Sequence, residues 1–224
     1  MNLFSVIETK KIEDEIINWR RELHKIPEYS FDLFKTSKFI QNKLDEFNIE
    51  YKIAAKTGII ATIYGAEDGP TIAIRADMDA LPIIEETNVP FKSESNYMHA
   101  CGHDAHAAIL LGAAKILSKN KDKIKGNVRL IFQPAEETTG GAKIMINEGC
   151  LKNPKVNYII GLHVGSLFKE VGNGQIGIKK GAFMASVDSF CVNIKGKGGH
   201  GALPHVCVDP IVVSAEIITS LQKI

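Results

Sequence analysis

Short apolar runs typical of β-strands alternate along this chain with helix-like patterns, and this alternation constrains the fold more than any other feature. The strand-like runs are residues 51–55, 59–64, 71–76, 127–132 and 156–164. The helix-like segments, with apolar residues every three or four positions, are residues 11–25, 30–47, 105–117 and 141–148. Ser30 is the predicted N-cap of the second of these helices, and Phe34 is predicted to face inward. Several of the strand-like runs are apolar throughout. This pattern predicts an α/β fold with a mostly parallel sheet flanked by helices on both faces.

The character of the chain changes near residue 183. Residues 186–195 alternate like a half-exposed strand, residues 196–201 form a glycine-rich turn, and residues 209–221 have a helical pattern. We therefore predict one large domain over residues 1–183 and the first β-α unit of a smaller α+β domain over residues 184–224. One strand and one helix cannot bury a core alone, so this unit needs a further packing partner.

Composition excludes several function classes. The formal net charge of +1 gives no electrostatic reason to expect nucleic acid or an anionic membrane as a partner. No window approaches the roughly 18 consecutive apolar residues of a membrane span, and the first residues do not resemble a secretory signal. The four cysteines follow no disulfide spacing, which favours a cytoplasmic protein with reduced thiols. We expect Cys150, Cys191 and Cys207 to be buried packing groups.

Residues 97–106 carry three histidines, one cysteine and one aspartate just ahead of an apolar helical segment. Cys101 and His103 lie two residues apart with Gly102 between them, so both side chains can converge on a metal ion from a tight loop. The helix that starts near Asp104 favours a thiolate at Cys101 through its partial positive charge. The sequence therefore predicts a metal site here.

Other metal-capable side chains follow the ends of predicted strands. Asp77 and Asp79 come after residues 71–76, Glu136 and Glu137 come after residues 127–132, and His163 ends the last strand-like run. The carboxyl ends of parallel strands lie at one edge of a sheet, so we expect these groups to form one site with Cys101 and His103.

The residue types suggest different roles within that site. Because Glu136 and Glu137 are adjacent, one carboxylate can bind metal while the other acts as a general base. Asp77 and Asp79 can bind metal or orient a metal-binding imidazole. His163 is interpreted as a further ligand.

Alternatives remain for each of these groups. The two glutamates can be a solvated loop pair, Asp77 can cap the loop before Pro82, and His163 can be an ordinary core histidine. His24 is interpreted as a surface residue, and His99, His106 and His205 receive no role. A different enzyme would use Cys101 as a nucleophile with His103 as its base, but this spacing on a tight loop is poor geometry for such a pair.

Five short motifs occur in order along the chain. They are RADMDALP at residues 75–82, CGHD at 101–104, PAEE at 134–137, GLH at 161–163 and GKGGH at 196–200. In this order and spacing they resemble the M20 metallopeptidase family, and specifically its amidohydrolase branch, which includes hippurate hydrolases and auxin-amino-acid conjugate hydrolases.

This resemblance implies a zinc-peptidase-like catalytic domain that holds two divalent cations, of Zn²⁺, Mn²⁺, Co²⁺ or Ni²⁺, and hydrolyses N-acyl amino acids or related small amides. The implied metal ligands are Cys101, His103, Glu137 and His163. The implied catalytic residues are Glu136 as general base, Asp79 as the group that orients the site, and His200, which reaches the active site of a neighbouring subunit. Residues 184–224 would then begin a lid through which members form homodimers.

Members of the family are expected to continue past the equivalent of Ile224 and to return to the catalytic domain. That return supplies one more histidine ligand and the groups that hold the substrate carboxylate. A second hypothesis is therefore a truncated or inactive member that binds metal, or forms a dimer, without turnover.

Overall fold

The computed structural model describes residues 6–138, 140–165 and 169–224. The chain divides into two compact units, Met1–Glu170 and Val171–Ile224. The helices of the first unit are α1 (Val6–Lys11), α2 (Glu13–His24), α3 (Phe34–Glu46), α4 (His103–Lys119) and α5 (Gly141–Asn147), with a 3₁₀ turn at Lys121–Lys123. Its strands are β1 (Tyr51–Ala54), β2 (Gly58–Tyr64), β3 (Glu67–Asp77), β4 (Lys125–Gln133) and β5 (Val156–Gly161).

The five strands form one sheet in the order β1-β2-β4-β3-β5. β3 pairs in parallel with β4 and β5, whereas β2 runs antiparallel to both of its neighbours, so four strands point in one direction. The predicted α/β class with a mostly parallel sheet is thereby confirmed. In this register Asp77 lies opposite Gln133, and Arg75 lies opposite both Ile131 and Gly161. The ends of β3, β4 and β5 therefore share one edge of the sheet.

Apolar side chains cover the two faces of the sheet unequally. The larger core lies beneath α2, α3 and α4, where Trp19, Leu23, Leu44, Leu111 and Phe132 are buried together. The smaller core, on the other face, gathers about Met145 of α5. Most of the free energy of burial therefore comes from the face that α4 covers.

The sheet is flanked by helices as predicted, but among the described residues this cover does not extend to β5. Tyr158, Ile159 and Ile160 are all more than half exposed, and they lie on alternating faces of the strand. β5 is thus an apolar edge strand, open on both faces within the described residues.

The start of α3 differs from the prediction. Ser30 is not its N-cap, because the helix begins at Phe34 and Ser30 has a φ of 60°. Instead, the carboxylate of Glu28 accepts hydrogen bonds from the amides of Lys35 and Thr36 at 3.1 and 2.9 Å. A carboxylate at this position satisfies amide groups that have no partner within the helix. Phe34, which the periodicity placed inward, is exposed.

The second unit contains a 3₁₀ turn at Pro204–Val206 and α6 at Pro210–Leu221. Asp209 caps α6 by accepting a hydrogen bond from the amide of Ile211 at 2.9 Å. No regular strand forms over residues 186–195, so that prediction is wrong; within the described part of this unit the β-type pairing is a single bridge between Lys197 and Val208. A strand needs a neighbour for its backbone hydrogen bonds, and the alternating pattern alone does not supply one.

The four cysteines are all free thiols. Cys150 is buried as predicted, but Cys191 is exposed and Cys207 is partly exposed, so the prediction of three buried packing groups is wrong for these two. Within the described ranges, no helix combines the length and the apolar character needed to cross a membrane.

Candidate metal centre

Four chain segments bring metal-capable side chains together at the carboxyl edge of the sheet. The segments are the turn after β3, the start of α4, the turn after β4 and the residues after β5. In one group, ligand atoms of Cys101, His103 and His163 all lie within 4.8 Å of one another. In a second group, His103 shares the same spacing with Glu136 and Glu137. His103 therefore belongs to both groups, so the two groups form one continuous cluster.

The imidazole of His103 is buried and held in one tautomer. Its Nδ1–H donates to the backbone carbonyl of Asp79 at 2.9 Å, so the lone pair of the neutral ring is on Nε2. Among the described residues, Nε2 of His103 has no hydrogen-bond partner, and neither does the buried Oε1 of Glu137. These two atoms lie 3.7 Å apart. Two unpartnered buried atoms that face each other are costly unless something binds both. An imidazole and a carboxylate in this arrangement fit a divalent cation.

Cys101 and His163 form the other side of the centre. The Sγ of Cys101 lies 3.2 Å from Nε2 of His163, whose Nδ1–H donates to the carbonyl of Val164 at 2.6 Å. Gly102 lies between Cys101 and His103 and has a φ of 86°. A Cβ on residue 102 would lie 2.7 Å from Cγ2 of Val164. Glycine is therefore required for Cys101 and His103 to reach the same site.

Asp79 fixes the two glutamates through their backbone. Its Oδ1 accepts from the amide of Glu136 and its Oδ2 from the amide of Glu137, each at 3.1 Å. Together with the bond from His103 to its carbonyl, Asp79 thus contacts the backbone of both glutamates and the central imidazole.

The two reactive acids have shifted pKa values. Burial, together with the charge of Glu137, raises the pKa of Glu136. Burial and the neighbouring carboxylates of Glu137, Glu136 and Asp77 raise the pKa of Cys101 to about 12. Burial and the neighbouring carboxylates therefore disfavour the thiolate that the sequence predicts at Cys101. The raised pKa of this thiol, with His163 rather than His103 at 3.2 Å from its sulfur, also argues against a nucleophilic cysteine with His103 as base.

Asp77 is buried and serves a different imidazole. Its Oδ1 accepts from Nδ1–H of His106 at 2.5 Å and its Oδ2 accepts from Arg75 at 2.7 Å. Burial alone would raise its pKa, but the hydrogen bond from His106 and the charges of His103 and Arg75 lower the pKa to about 2. Asp77 therefore does not cap the loop before Pro82. The sequence predicts no role for His106, the imidazole that Asp77 contacts.

A second buried polar cluster lies behind the centre, and the sequence interpretation missed it. His24 is buried rather than exposed: its Nδ1 lies 2.7 Å from Asp104 Oδ2, and its Nε2 lies 3.2 Å from Glu85. Arg20, one turn earlier in α2, contacts the same oxygen of Asp104 at 2.8 Å. The sequence feature that could have indicated this cluster is the i, i+4 spacing of Arg20 and His24 beside the apolar face of α2. His99 is also buried, and burial lowers its pKa to about 4.

His200 lies in the second unit, where it is exposed and its Nδ1 accepts a hydrogen bond from the amide of Ala202 at 3.1 Å. Its role in catalysis stays a prediction, as do the assigned roles of the other site residues and the domain boundary at residue 183.

Known proteins resemble this chain throughout its length. Residues 73–222 match the model of peptidase family M20/M25/M40. The chain is 47% identical over 218 residues to N-acetylcysteine deacetylase of Bacillus subtilis, covering 96% of this chain and 56% of that protein.

Two solved structures have the same architecture. A Bacillus subtilis protein, described as a dinuclear metal-binding peptidase of the M20 family, is 49% identical with a TM-score of 0.65 over 69% of this chain and 44% of that one. A protein of methicillin-resistant Staphylococcus aureus, assigned as an aminohydrolase, is 37% identical with a TM-score of 0.83 over 99% of this chain and 59% of that one.

The chain spans about half the length of the curated relatives that it matches. The matched model nevertheless covers every segment that contributes a side chain to the centre, from the end of β3 to the residues after β5. The chain therefore belongs to peptidase family M20/M25/M40.

Proposed function

We propose that this chain is the metal-binding part of an amidohydrolase that cleaves the amide bond of N-acyl amino acids. The observation that carries this proposal is the pair of buried, unpartnered atoms, His103 Nε2 and Glu137 Oε1, beside the Cys101–His163 contact. Family membership and the similarity to an N-acetylcysteine deacetylase support the substrate class.

Cys101, His103, Glu137 and His163 would hold two divalent cations, and the similarity to a dinuclear metal-binding peptidase supports that number. A thiolate with imidazoles favours Zn²⁺, Co²⁺ or Ni²⁺, and the carboxylates also suit Mn²⁺. When bound, the cations supply Lewis acidity for the attacking water and for the scissile carbonyl.

We assign the proton transfer in this reaction to Glu136. Its Oε2 lies 3.9 Å from His103 Nε2, at the margin of the metal group, and its side chain is less buried than that of Glu137. As general base Glu136 takes a proton from the attacking water and then delivers it to the leaving nitrogen. Because the pKa of Glu136 is raised, it lies closer to neutral pH than that of an ordinary glutamate. A pKa near the working pH favours proton transfer in both directions.

Further parts of the proposal concern the whole protein. His200 donates a hydrogen bond to the developing oxyanion in the active site of a second copy, in a homodimer formed through the second unit. Loss of such a donor costs roughly 10²–10³ in rate in a studied protease. The enzyme acts on small substrates in the cytoplasm.

Removal and return of metal tests the proposal. The purified chain is treated with a chelator, reloaded with Zn²⁺, Mn²⁺, Co²⁺ or Ni²⁺ in turn, and assayed for amine release from N-acetyl amino acids. We expect hydrolysis to be lost with the metal and restored by at least one cation. Hydrolysis that survives complete metal removal would contradict the proposal.

A second candidate is metal binding without turnover, favoured by the fact that the chain spans about half the length of its relatives. The same experiment separates the two once the metal content of the reloaded chain is also measured, because this candidate predicts two bound cations per chain and no amine release under any metal.

A further inference from the structure

His106 makes two hydrogen bonds that fix where its proton lies. Its Nε2 is 2.9 Å from the backbone nitrogen of Val164, and its Nδ1 is 2.5 Å from Oδ1 of Asp77. A backbone amide can only donate, so Nε2 must carry the lone pair. The single proton of the neutral ring is then on Nδ1, from which it is donated to Asp77.

Asp77 is itself fixed on its other side. Arg75 donates to Oδ2 of Asp77 from Nη1 at 2.7 Å, and its Nε donates to Gln133 on the neighbouring strand at 2.9 Å. Asp77 and His106 are almost completely buried. The acceptor that sets the tautomer of His106 is therefore held by the sheet.

Val164 connects His106 to the metal centre. Its amide is used by His106, and its carbonyl accepts the Nδ1–H of His163 at 2.6 Å. This second bond leaves the lone pair of His163 on Nε2, the atom that lies 3.2 Å from Cys101 Sγ. The rings of His106 and His163 also meet edge to face, with centroids 4.7 Å apart.

His163 needs such restraint because it is exposed, and packing does not restrict it on every side. An exposed side chain loses rotamer entropy when it binds an ion, unless other contacts already hold it in place. We infer that Asp77, His106 and the backbone of Val164 form a hydrogen-bonded relay that positions His163 for cation binding. This inference rests on the proposed function, since it requires His163 to be a metal ligand.

These hydrogen bonds also distinguish between two roles for His106, metal binding and positioning. Asp77, His103 and His106 have ligand atoms close enough to suggest a separate metal group. Both ring nitrogens of His106 are already hydrogen-bonded, so His106 has no free lone pair for an ion. It is a positioning residue.

Binding of Co²⁺ tests the relay. His106→Leu removes both hydrogen bonds, and His106→Gln keeps an acceptor near the position of Nε2. Cobalt affinity is measured by competition with a chelator, and the sulfur-to-cobalt charge-transfer band reports on Cys101. We expect His106→Leu to weaken Co²⁺ binding about 10–100-fold and to alter the band, and His106→Gln to restore part of the affinity.

Leu110→Ala is the matched control, because Leu110 is buried in the same helix and contributes only to packing. This variant should lower the melting temperature of the metal-free protein. Its cobalt affinity should stay within about threefold of the wild-type value, because a leucine side chain makes no hydrogen bond that orients a proposed ligand. Wild-type affinity and spectrum in His106→Leu would overturn the relay. Absence of the band in the wild-type protein would instead overturn the metal site, and the relay with it.

A measurement on the wild-type protein covers the case in which His106→Leu does not fold. Nitrogen-15 chemical shifts of the metal-free protein distinguish a protonated from an unprotonated ring nitrogen. We expect Nδ1 of His106 to be protonated and Nε2 to be unprotonated. A proton on Nε2 is incompatible with the bond from Val164 and would overturn the relay.

Discussion

At the candidate metal centre, two adjacent carboxylates have different surroundings. Glu137 places one oxygen in a buried position opposite His103, whereas Glu136 is more exposed and has a raised pKa. Asp79 holds the backbone amides of both residues with one carboxylate. These positions support the proposed roles, metal binding for Glu137 and proton transfer for Glu136.

Glu136→Gln tests that division. The amide cannot accept the proton of water, so we expect the hydrolysis rate of the active holoenzyme to fall about 10²–10⁴-fold. Metal content, measured by elemental analysis, should remain at the wild-type value because Glu136 is not proposed as a ligand.

Glu137→Gln is the matched control, since it makes the same change one residue later and should lower the metal content. If Glu136→Gln keeps the wild-type rate, Glu136 is not the general base.

Helix α4 joins the core to the metal centre. Its first residue, His103, is a proposed ligand, and Leu111 in its middle is completely buried in the larger core. Packing along this helix therefore contributes to the position of the centre as well as to the stability of the first unit.

Leu111→Ala should lower the free energy of unfolding by about 2–5 kcal/mol, because it leaves a cavity that a close-packed core cannot fill. Urea denaturation followed by circular dichroism measures this change. Ile109→Ala in the same helix should cost about 1 kcal/mol or less, since Ile109 is 39% exposed. Equal losses for the two variants would show that the core does not depend on this face of α4.

His24 links α2 to the start of α4, and this link should depend on pH. The hydrogen bond to Asp104 raises the pKa of His24, aided by Glu85 and opposed by burial. A raised pKa in the folded state means that protonation stabilises the fold. This contribution is complete below the unfolded pKa of about 6.5 and is lost as the pH rises through the folded pKa.

We therefore expect the difference in unfolding free energy between the wild-type protein and His24→Gln to be largest near pH 6 and to shrink towards pH 9. Urea titrations of the metal-free proteins across this range provide the measurement. A difference that does not vary with pH would show that His24 keeps one charge state throughout.

The first unit as a whole presents an open apolar edge at β5. Ile159 and its neighbours expose both faces of the strand, and unpaired edge strands of this kind promote association between chains. We expect Ile159→Lys to reduce the increase in light scattering with protein concentration. Asn42→Lys adds the same charge at an exposed position of α3 and should leave the scattering unchanged. Equal scattering by Ile159→Lys and the wild-type protein would contradict this prediction.

Much of the architecture follows from local patterns in the sequence. The periodicity of apolar residues predicted all five strands and α2 to α6 of the described chain within a few residues, because burial of one face imposes that periodicity. The prediction of a strand at residues 186–195 is wrong because a strand also depends on a neighbouring strand, which the alternation of residues does not specify.

The sequence by itself determined which side chains follow strand ends, and therefore which residues gather at one edge of the sheet. Only the tertiary structure decided how those side chains pair: that Asp77 serves His106 rather than a loop, that His24 is buried against Asp104, and that burial and neighbouring carboxylates raise the pKa of the Cys101 thiol. The physical reason is that hydrogen bonds and charge interactions depend on distances of a few ångströms between residues far apart in the chain, whereas periodicity records only which face of each element is buried.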